Sequence, residues 1–185
     1  MAAQASDDVV LKKDGVEKAV RNIVEDILDN FEDLNDLVLI GIRTRGVPLA
    51  KRIVSLIKAI KQKEISLGIL DITLYRDDFS AVNSQPVVHR TEIPFDLTKK
   101  KVILVDDVIF TGRTVRAALD ALIDFGRPDL IKLAVLVDRG HRELPIRPDF
   151  TGKQITTKRD QKIEVVLKEI DGRDGVFIYK KKDID

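Results

Sequence analysis

The feature that most constrains this chain is the run Val102-Ile103-Leu104-Val105, followed at once by Asp106-Asp107-Val108-Ile109 and then by Phe110-Thr111-Gly112-Arg113-Thr114. Apolar residues in unbroken succession read as a strand buried on both faces, as in a parallel sheet. The two acids then stand at its carboxyl end, where open α/β sheets bind ligands. The Thr-Gly-Arg-Thr loop opens a helical repeat, whose first backbone N–H groups lack partners and point at whatever sits there. Carboxylates accept hydrogen bonds from vicinal hydroxyls, or hold Mg²⁺ directly or through water. Acids beside an N–H cradle therefore suit a sugar carrying a phosphate. The plain alternative is a buried strand ending in solvated acids, with Thr111 or Thr114 as an ordinary helix N-cap.

The rest of the chain repeats the same alternation. Asp14 reads as the N-cap of a first helix, in which Val16, Ala19, Val20, Ile23, Val24, Ile27, Leu28 and Phe31 recur with helical period. Leu37 to Ile42 reads as a buried strand, and Pro48 to Lys61 as a helix with proline in its first turn. Leu67 to Leu74 reads as a second strand, and the polar stretch Tyr75 to Pro94 is long for a passive loop. The helix after the motif strand stops near Phe125 at Gly126 and Pro128, and Ile131 to Val137 is the next strand. This order predicts an α/β fold with a parallel, doubly wound sheet. Arg142 to Thr157 is turn-rich and polar, while Lys162 to Ile170 and Gly175 to Tyr179 read as strands. The 185 residues are expected to form one domain, 1–185, in which about 139–180 and part of the N-terminal segment make a small antiparallel flap over the site.

Composition excludes more than it selects. There is no cysteine, so disulfides and thiolate metal sites are ruled out, and the two histidines, His89 and His141, have no metal-binding spacing. With 32 basic and 31 acidic residues, net charge makes no global case for nucleic acid. No run approaches the roughly 20 apolar residues of a membrane span. The first residues, Met1-Ala-Ala-Gln-Ala-Ser-Asp-Asp, carry neither a basic nor an apolar signal region. A cytoplasmic enzyme fits all of this, as many other proteins would.

The motif from Val102 to Thr114 resembles the phosphoribosyl-pyrophosphate (PRPP) site of type I phosphoribosyltransferases. The resemblance implies that Asp106 and Asp107 hold the ribose hydroxyls and Mg²⁺, the latter through substrate or water. It also implies that Val108, Ile109, Phe110, Thr111, Gly112, Arg113 and Thr114 line the ribose and 5′-phosphate. Thr44-Arg45-Gly46, at the end of the first strand, is similar to the family's pyrophosphate loop, with glycine permitting unusual backbone geometry there. Tyr75, Arg76, Asp77, Asp78 and Arg90 match its flexible loop, with Arg76 counted beside Asp106 and Asp107 as catalytic because it could neutralise the departing pyrophosphate. The C-terminal flap corresponds to the family's base-selecting hood. Purine transferases with a similar motif place an acid where Phe110 stands, so the apolar ring argues against a purine.

Three segments together narrow the resemblance. Asp71-Ile-Thr-Leu-Tyr-Arg-Asp-Asp78, the Thr-Gly-Arg-Thr motif and Leu136-Val-Asp-Arg-Gly-His-Arg-Glu-Leu-Pro-Ile-Arg147 resemble the PyrR family of pyrimidine operon regulators with uracil phosphoribosyltransferase activity. The implied reaction is uracil plus PRPP giving UMP and pyrophosphate with Mg²⁺. Val137, Asp138 and Arg139 are the residues expected at uracil, since a guanidinium stacks on a base or bonds its carbonyls. The family also implies a homodimer or dimer of dimers, and binding of pyrimidine-leader mRNA through a basic face. Arg142, Arg147 and Lys153 are the candidates there, alongside Lys158 and Arg159. Against this, Glu17, Glu25, Asp26, Asp29, Glu32, Asp33 and Asp36 outnumber Lys18 and Arg21 on the first helix, and acids repel phosphate. The alternatives are an RNA-binding regulator on a transferase fold with little or no catalysis, and a protein that binds nucleotide without turning it over.

Overall fold

The computed structural model describes residues 8–75 and 90–180. Its central element is a five-stranded parallel sheet built from β2 (Leu37–Ile42), β3 (Ser66–Leu70), β4 (Lys101–Ile109), β5 (Leu130–Asp138) and β6 (Phe150–Gln154), in the order β3-β2-β4-β5-β6. Strand alternation divides the buried side chains into two layers. Leu37, Leu39, Ile103 and Val105 face helices α1 (Lys13–Asn30) and α2 (Gly46–Lys61). Val38, Ile40, Val102 and Leu104 face α3 (Arg113–Leu122), together with Val115, Ala118 and Leu122. Both faces are therefore covered, which is why these strands read as unbroken apolar runs.

Helix α1 buries Val16, Ala19, Val20, Ile23, Val24 and Ile27 and keeps its acids in solvent. Each fully buried aliphatic side chain there contributes about 1.5–3 kcal/mol. The helix begins one residue before Asp14, which lies inside the first turn; Lys12 occupies the cap position and makes no side-chain cap bond. Asp14 thus acts through the helix dipole and not as the expected cap. Helix α2 starts at Gly46, two residues ahead of the expected Pro48, which falls in the first turn. Strand β3 ends at Leu70, short of Leu74, because Asp71 turns the chain by accepting the Thr73 N–H at 2.7 Å ahead of a 3-10 turn at Thr73–Tyr75.

The C-terminal third departs from expectation in one respect. The segment read as turn-rich contains β6, which pairs parallel with β5 in the main sheet, so it is not part of an antiparallel flap. The antiparallel sheet is smaller and has the order β1-β8-β7, from β1 (Asp8–Leu11), β7 (Gln161–Val166) and β8 (Gly175–Lys180), with the one-turn helix α4 (Lys168–Asp171) between the last two. Its inward residues Ile163, Val165 and Val176, with Leu167 just after β7, join the core layer of α1 and α2. Among the described residues no helix is long and apolar enough to cross a membrane.

Candidate active site

The carboxyl ends of β2, β4 and β5 lie side by side, and each carries one of the segments singled out in the sequence. On β4 the strand runs through both acids to Ile109. Asp106 is 7% exposed and its Oδ1 accepts the Asp107 N–H at 2.9 Å. Asp107 is half-buried, and its Oδ1 accepts the Val108 N–H at 2.9 Å. Burial pushes the Asp107 carboxyl up, opposed by hydrogen bonding with the Asp106 side chain and from the Val108 N–H and by the charge of Arg45. Two carboxylates with no third His, Cys, Asp or Glu beside them among the described residues form an incomplete cation site. That donor set fits Mg²⁺, which takes one or two carboxylates and completes its shell with water and phosphate oxygens.

The loop after β4 is braced from behind. Gly112 caps α3 with φ 94°, a left-handed conformation that favours glycine, and its α-carbon faces Leu144 and Ile146. The Thr111 carbonyl accepts N–H groups from Glu143 (3.0 Å) and Leu144 (3.1 Å), while Arg113 pairs with Glu143 at 3.0 Å. Arg142 donates to the carbonyls of Phe110 (2.9 Å), Gly140 (3.1 Å) and Ile146 (2.9 Å) and pairs with Asp138 at 2.6 Å. Its guanidinium is thus engaged within the protein, whereas Arg147 and Lys153, the other two proposed RNA contacts, are exposed. The segment 139–147 is a strut for the loop after β4, a role its polar composition does not announce.

At β2 the Thr44-Arg45-Gly46 loop leads directly into α2, after a cis peptide between Arg43 and Thr44. Gly46 is required for close approach: a Cβ there would meet the Val105 carbonyl oxygen at 2.2 Å. The expected reason, unusual backbone geometry, does not apply, because Gly46 is the first residue of a regular helix. Arg45 is half-buried and pairs with Asp171 of α4 at 2.8 Å. The hydrogen bond to that carboxylate raises the pKa of Arg45 above its ordinary value.

Between this edge and the small sheet lies a cleft of about 530 Å³ lined by Val108, Phe110, Arg139, Gln161 and Ile163 among others. Arg139 is 6% exposed and lies 4.1 Å over the Phe110 ring. It donates to Thr157 Oγ1 (3.2 Å) and to the carbonyls of Lys158 (3.2 Å) and Gln161 (2.7 Å). Burial lowers its pKa from the usual arginine value. Of the three residues expected at the base, Arg139 thus lines the cleft, Asp138 is paired with Arg142 and Val137 points into the core. In the flexible-loop set, Tyr75 donates to Asp124 at 2.7 Å and the Arg90 carbonyl accepts from Arg43 at 3.3 Å. Arg76, Asp77 and Asp78 lie outside the described residues. Sequence reasoning missed Asp171, Thr157 and Gln161, which act on the site through contacts far apart in the chain.

Comparison with known proteins agrees with this geometry. Residues 7–169 match the model of the phosphoribosyl transferase domain. "Bifunctional protein PyrR" of Pelotomaculum thermopropionicum is 54% identical over 171 residues, covering 92% of this chain and 94% of that protein. The protein of the same name from Deinococcus radiodurans is 50% identical over 175 residues, covering 95% of this chain and 96% of its own. Among solved structures, hypoxanthine phosphoribosyl transferase of Trypanosoma cruzi superposes with a TM-score of 0.71 at 13% identity, covering 97% and 94% of the two chains. Purine phosphoribosyltransferase of Pyrococcus horikoshii gives 0.59 at 24%, covering 78% and 85%. These structural likenesses speak for the fold alone. With its sheet-edge acids, its braced loop and half-identity to these relatives along nearly its whole length, the chain belongs to the phosphoribosyl transferase domain family and, within it, to the PyrR proteins.

Proposed function

We propose that this protein transfers the phosphoribosyl group of PRPP to uracil, giving UMP and pyrophosphate, and that it also serves as a pyrimidine-responsive RNA-binding regulator. The observation that carries the first part is the meeting of three elements at one sheet edge: the Asp106-Asp107 pair, the braced loop Phe110–Thr114 and the Thr44–Gly46 loop, beside a cleft with ample room for a base. Asp106 and Asp107 accept the ribose hydroxyls. The N-terminal turn of α3, with Thr111 to Thr114, takes the 5′-phosphate, favoured by the helix dipole. Thr44 and Gly46 offer the pyrophosphate their backbone, and Arg45 its charge, with Arg76 as a further cation.

In the reaction the uracil N1 forms a bond to ribose C1, the bond from C1 to the pyrophosphate oxygen breaks, and the N1 proton is released. Mg²⁺, when bound by Asp106, Asp107 and substrate oxygens, supplies charge neutralisation for the leaving pyrophosphate. Arg139, fixed over Phe110, closes the cleft on one side, and the neighbouring carbonyls of the hood offer hydrogen-bond acceptors to the base. Purified protein with PRPP, Mg²⁺ and uracil is expected to form UMP, while hypoxanthine and orotate do not react; no UMP from uracil would refute the assignment.

The regulatory part rests on family membership and on the exposed Arg147, Lys153, Lys158 and Arg159. Helix α1 packs against one face of β6, with Ala19 against Gly152 and the Phe31 ring just after the helix 6.4 Å from that of Phe150, while Lys153 alternates to the other face. That juxtaposition narrows any RNA face to the side away from α1. A gel shift with pyrimidine-leader RNA, with and without UMP, tests it; no retention at low salt leaves the transferase reading alone. The catalytic assembly is proposed to be a homodimer or a dimer of dimers in the cytoplasm.

A further inference from the structure

Asp171 lies on α4 in the hood, 126 residues from Arg45 in the chain. The two meet side-on: Arg45 Nη2 donates to Oδ1 at 2.8 Å and Nε to Oδ2 at 3.3 Å. Oδ2 also accepts the Leu167 N–H at 2.8 Å, so the acceptor is itself held in place. About two turns further along α2, Arg52 donates to Glu169 at 2.8 and 2.5 Å and to Asp174 at 2.7 and 3.1 Å. The hood segment bearing Asp171 is therefore clasped to α2 at two points, one of them inside the anion loop. The hydrogen bonds to Asp171 use the Nε–Nη2 edge of Arg45 and leave Nη1 for another acceptor. Close by, the backbone at Gly46 is pressed against Val105, which allows the loop little freedom to reposition the side chain.

We propose that Asp171 is a positioning residue for the pyrophosphate loop: by gripping one edge of Arg45 it presents the other to the pyrophosphate of PRPP. This rests on the reading of Thr44–Gly46 given above. An unheld arginine loses as much rotamer freedom on binding an anion as any side chain does. Removing the Asp171 charge acts the other way by favouring anions, but at a partly exposed position that effect is screened and smaller. The net effect expected for Asp171→Asn is about five- to tenfold weaker PRPP binding.

Calorimetric titration of PRPP with Mg²⁺ into the full chain, as wild type, D171N and E169Q, tests this, with thermal melts to confirm that each is folded. D171N is expected to weaken PRPP binding and to raise the KM for PRPP while leaving the KM for uracil within twofold. E169Q, which loosens the same segment without touching Arg45, should leave PRPP binding within twofold. Unchanged or tighter binding in D171N, or an equal loss in E169Q, overturns the proposal. Absence of PRPP binding by the wild type would instead remove the loop assignment itself, and this inference with it.

Discussion

The guanidinium of Arg139 rests 4.1 Å above the Phe110 ring, so the strand-end loop of β4 and the hood are joined through a cation on an aromatic face. Replacing Arg139 by Met keeps an unbranched apolar stem but removes the stack and three hydrogen bonds. The Lys158 and Gln161 carbonyls would lose their side-chain donor. A destabilisation of about 2–4 kcal/mol is expected, together with a raised KM for uracil. Urea denaturation measures the first; an unchanged midpoint would show that the contact is incidental.

Asp107→Asn separates chemistry from stability. Burial raises the Asp107 carboxyl, so its charge costs folding free energy that grows as pH rises through the carboxylate range and vanishes below it. The neutral amide avoids that cost, and the melting temperature at neutral pH should hold or rise. Turnover should fall by about 100-fold, because a misplaced ribose loses its attack geometry. Steady-state rates beside a thermal melt decide it, and unimpaired turnover removes Asp107 from the site.

Gly46→Ala should damage fold and site together. A methyl group at 2.2 Å from the Val105 carbonyl oxygen forces α2 away from β4. An overpacking cost of about 1–3 kcal/mol or more is expected, with PRPP affinity lost beyond what instability explains. PRPP titration at a temperature where the variant is fully folded is the measurement.

The hood clasp should be sensitive to acid. Hydrogen bonds from Arg52 hold Glu169, and those from Arg45 hold Asp171, below the ordinary carboxylate range. Depressed values in the folded state mean stabilisation that is present above the unfolded carboxylate pKa and lost as pH falls through the folded one. Protection against hydrogen exchange in 161–180, taken relative to the intrinsic rate at each pH, should therefore fall on acidification before it does in β2 or β4. In Arg52→Gln this acid step should shrink, since the Glu169 shift is gone; an undiminished step would mean that other carboxylates carry it.

Much of this was legible in the sequence because the sheet is buried on both faces. Leu37–Ile42 and Val102–Val105 declare themselves by apolar runs, and the functional loops follow them directly. β6 escaped because among the described residues it is an edge strand paired with β5 alone; Phe150 and Gly152 are its buried residues, and the rest is polar. The true reason for Gly46 was hidden because the atom it avoids, the Val105 carbonyl oxygen, belongs to every residue type. Arg139 and Arg142 read as free cations for the same reason, since most of their partners are backbone carbonyls. The Arg45–Asp171 pair joins positions that no local pattern relates.

The pairing of β2 with β4 has a consequence for the size of the proposed phosphoribosyl donor. The Thr44–Gly46 loop leaves the end of β2 and the Phe110–Thr114 loop leaves the end of β4, with Gly41 opposite Val105 in register. Neighbouring strands stand about 4.8 Å apart, a spacing fixed by their ladder of backbone hydrogen bonds. The gap between the two binding loops is thus a ruler ruled by main chain. Side-chain substitution can change what each loop grips, but a donor with its anionic groups set further apart would require a strand inserted between them.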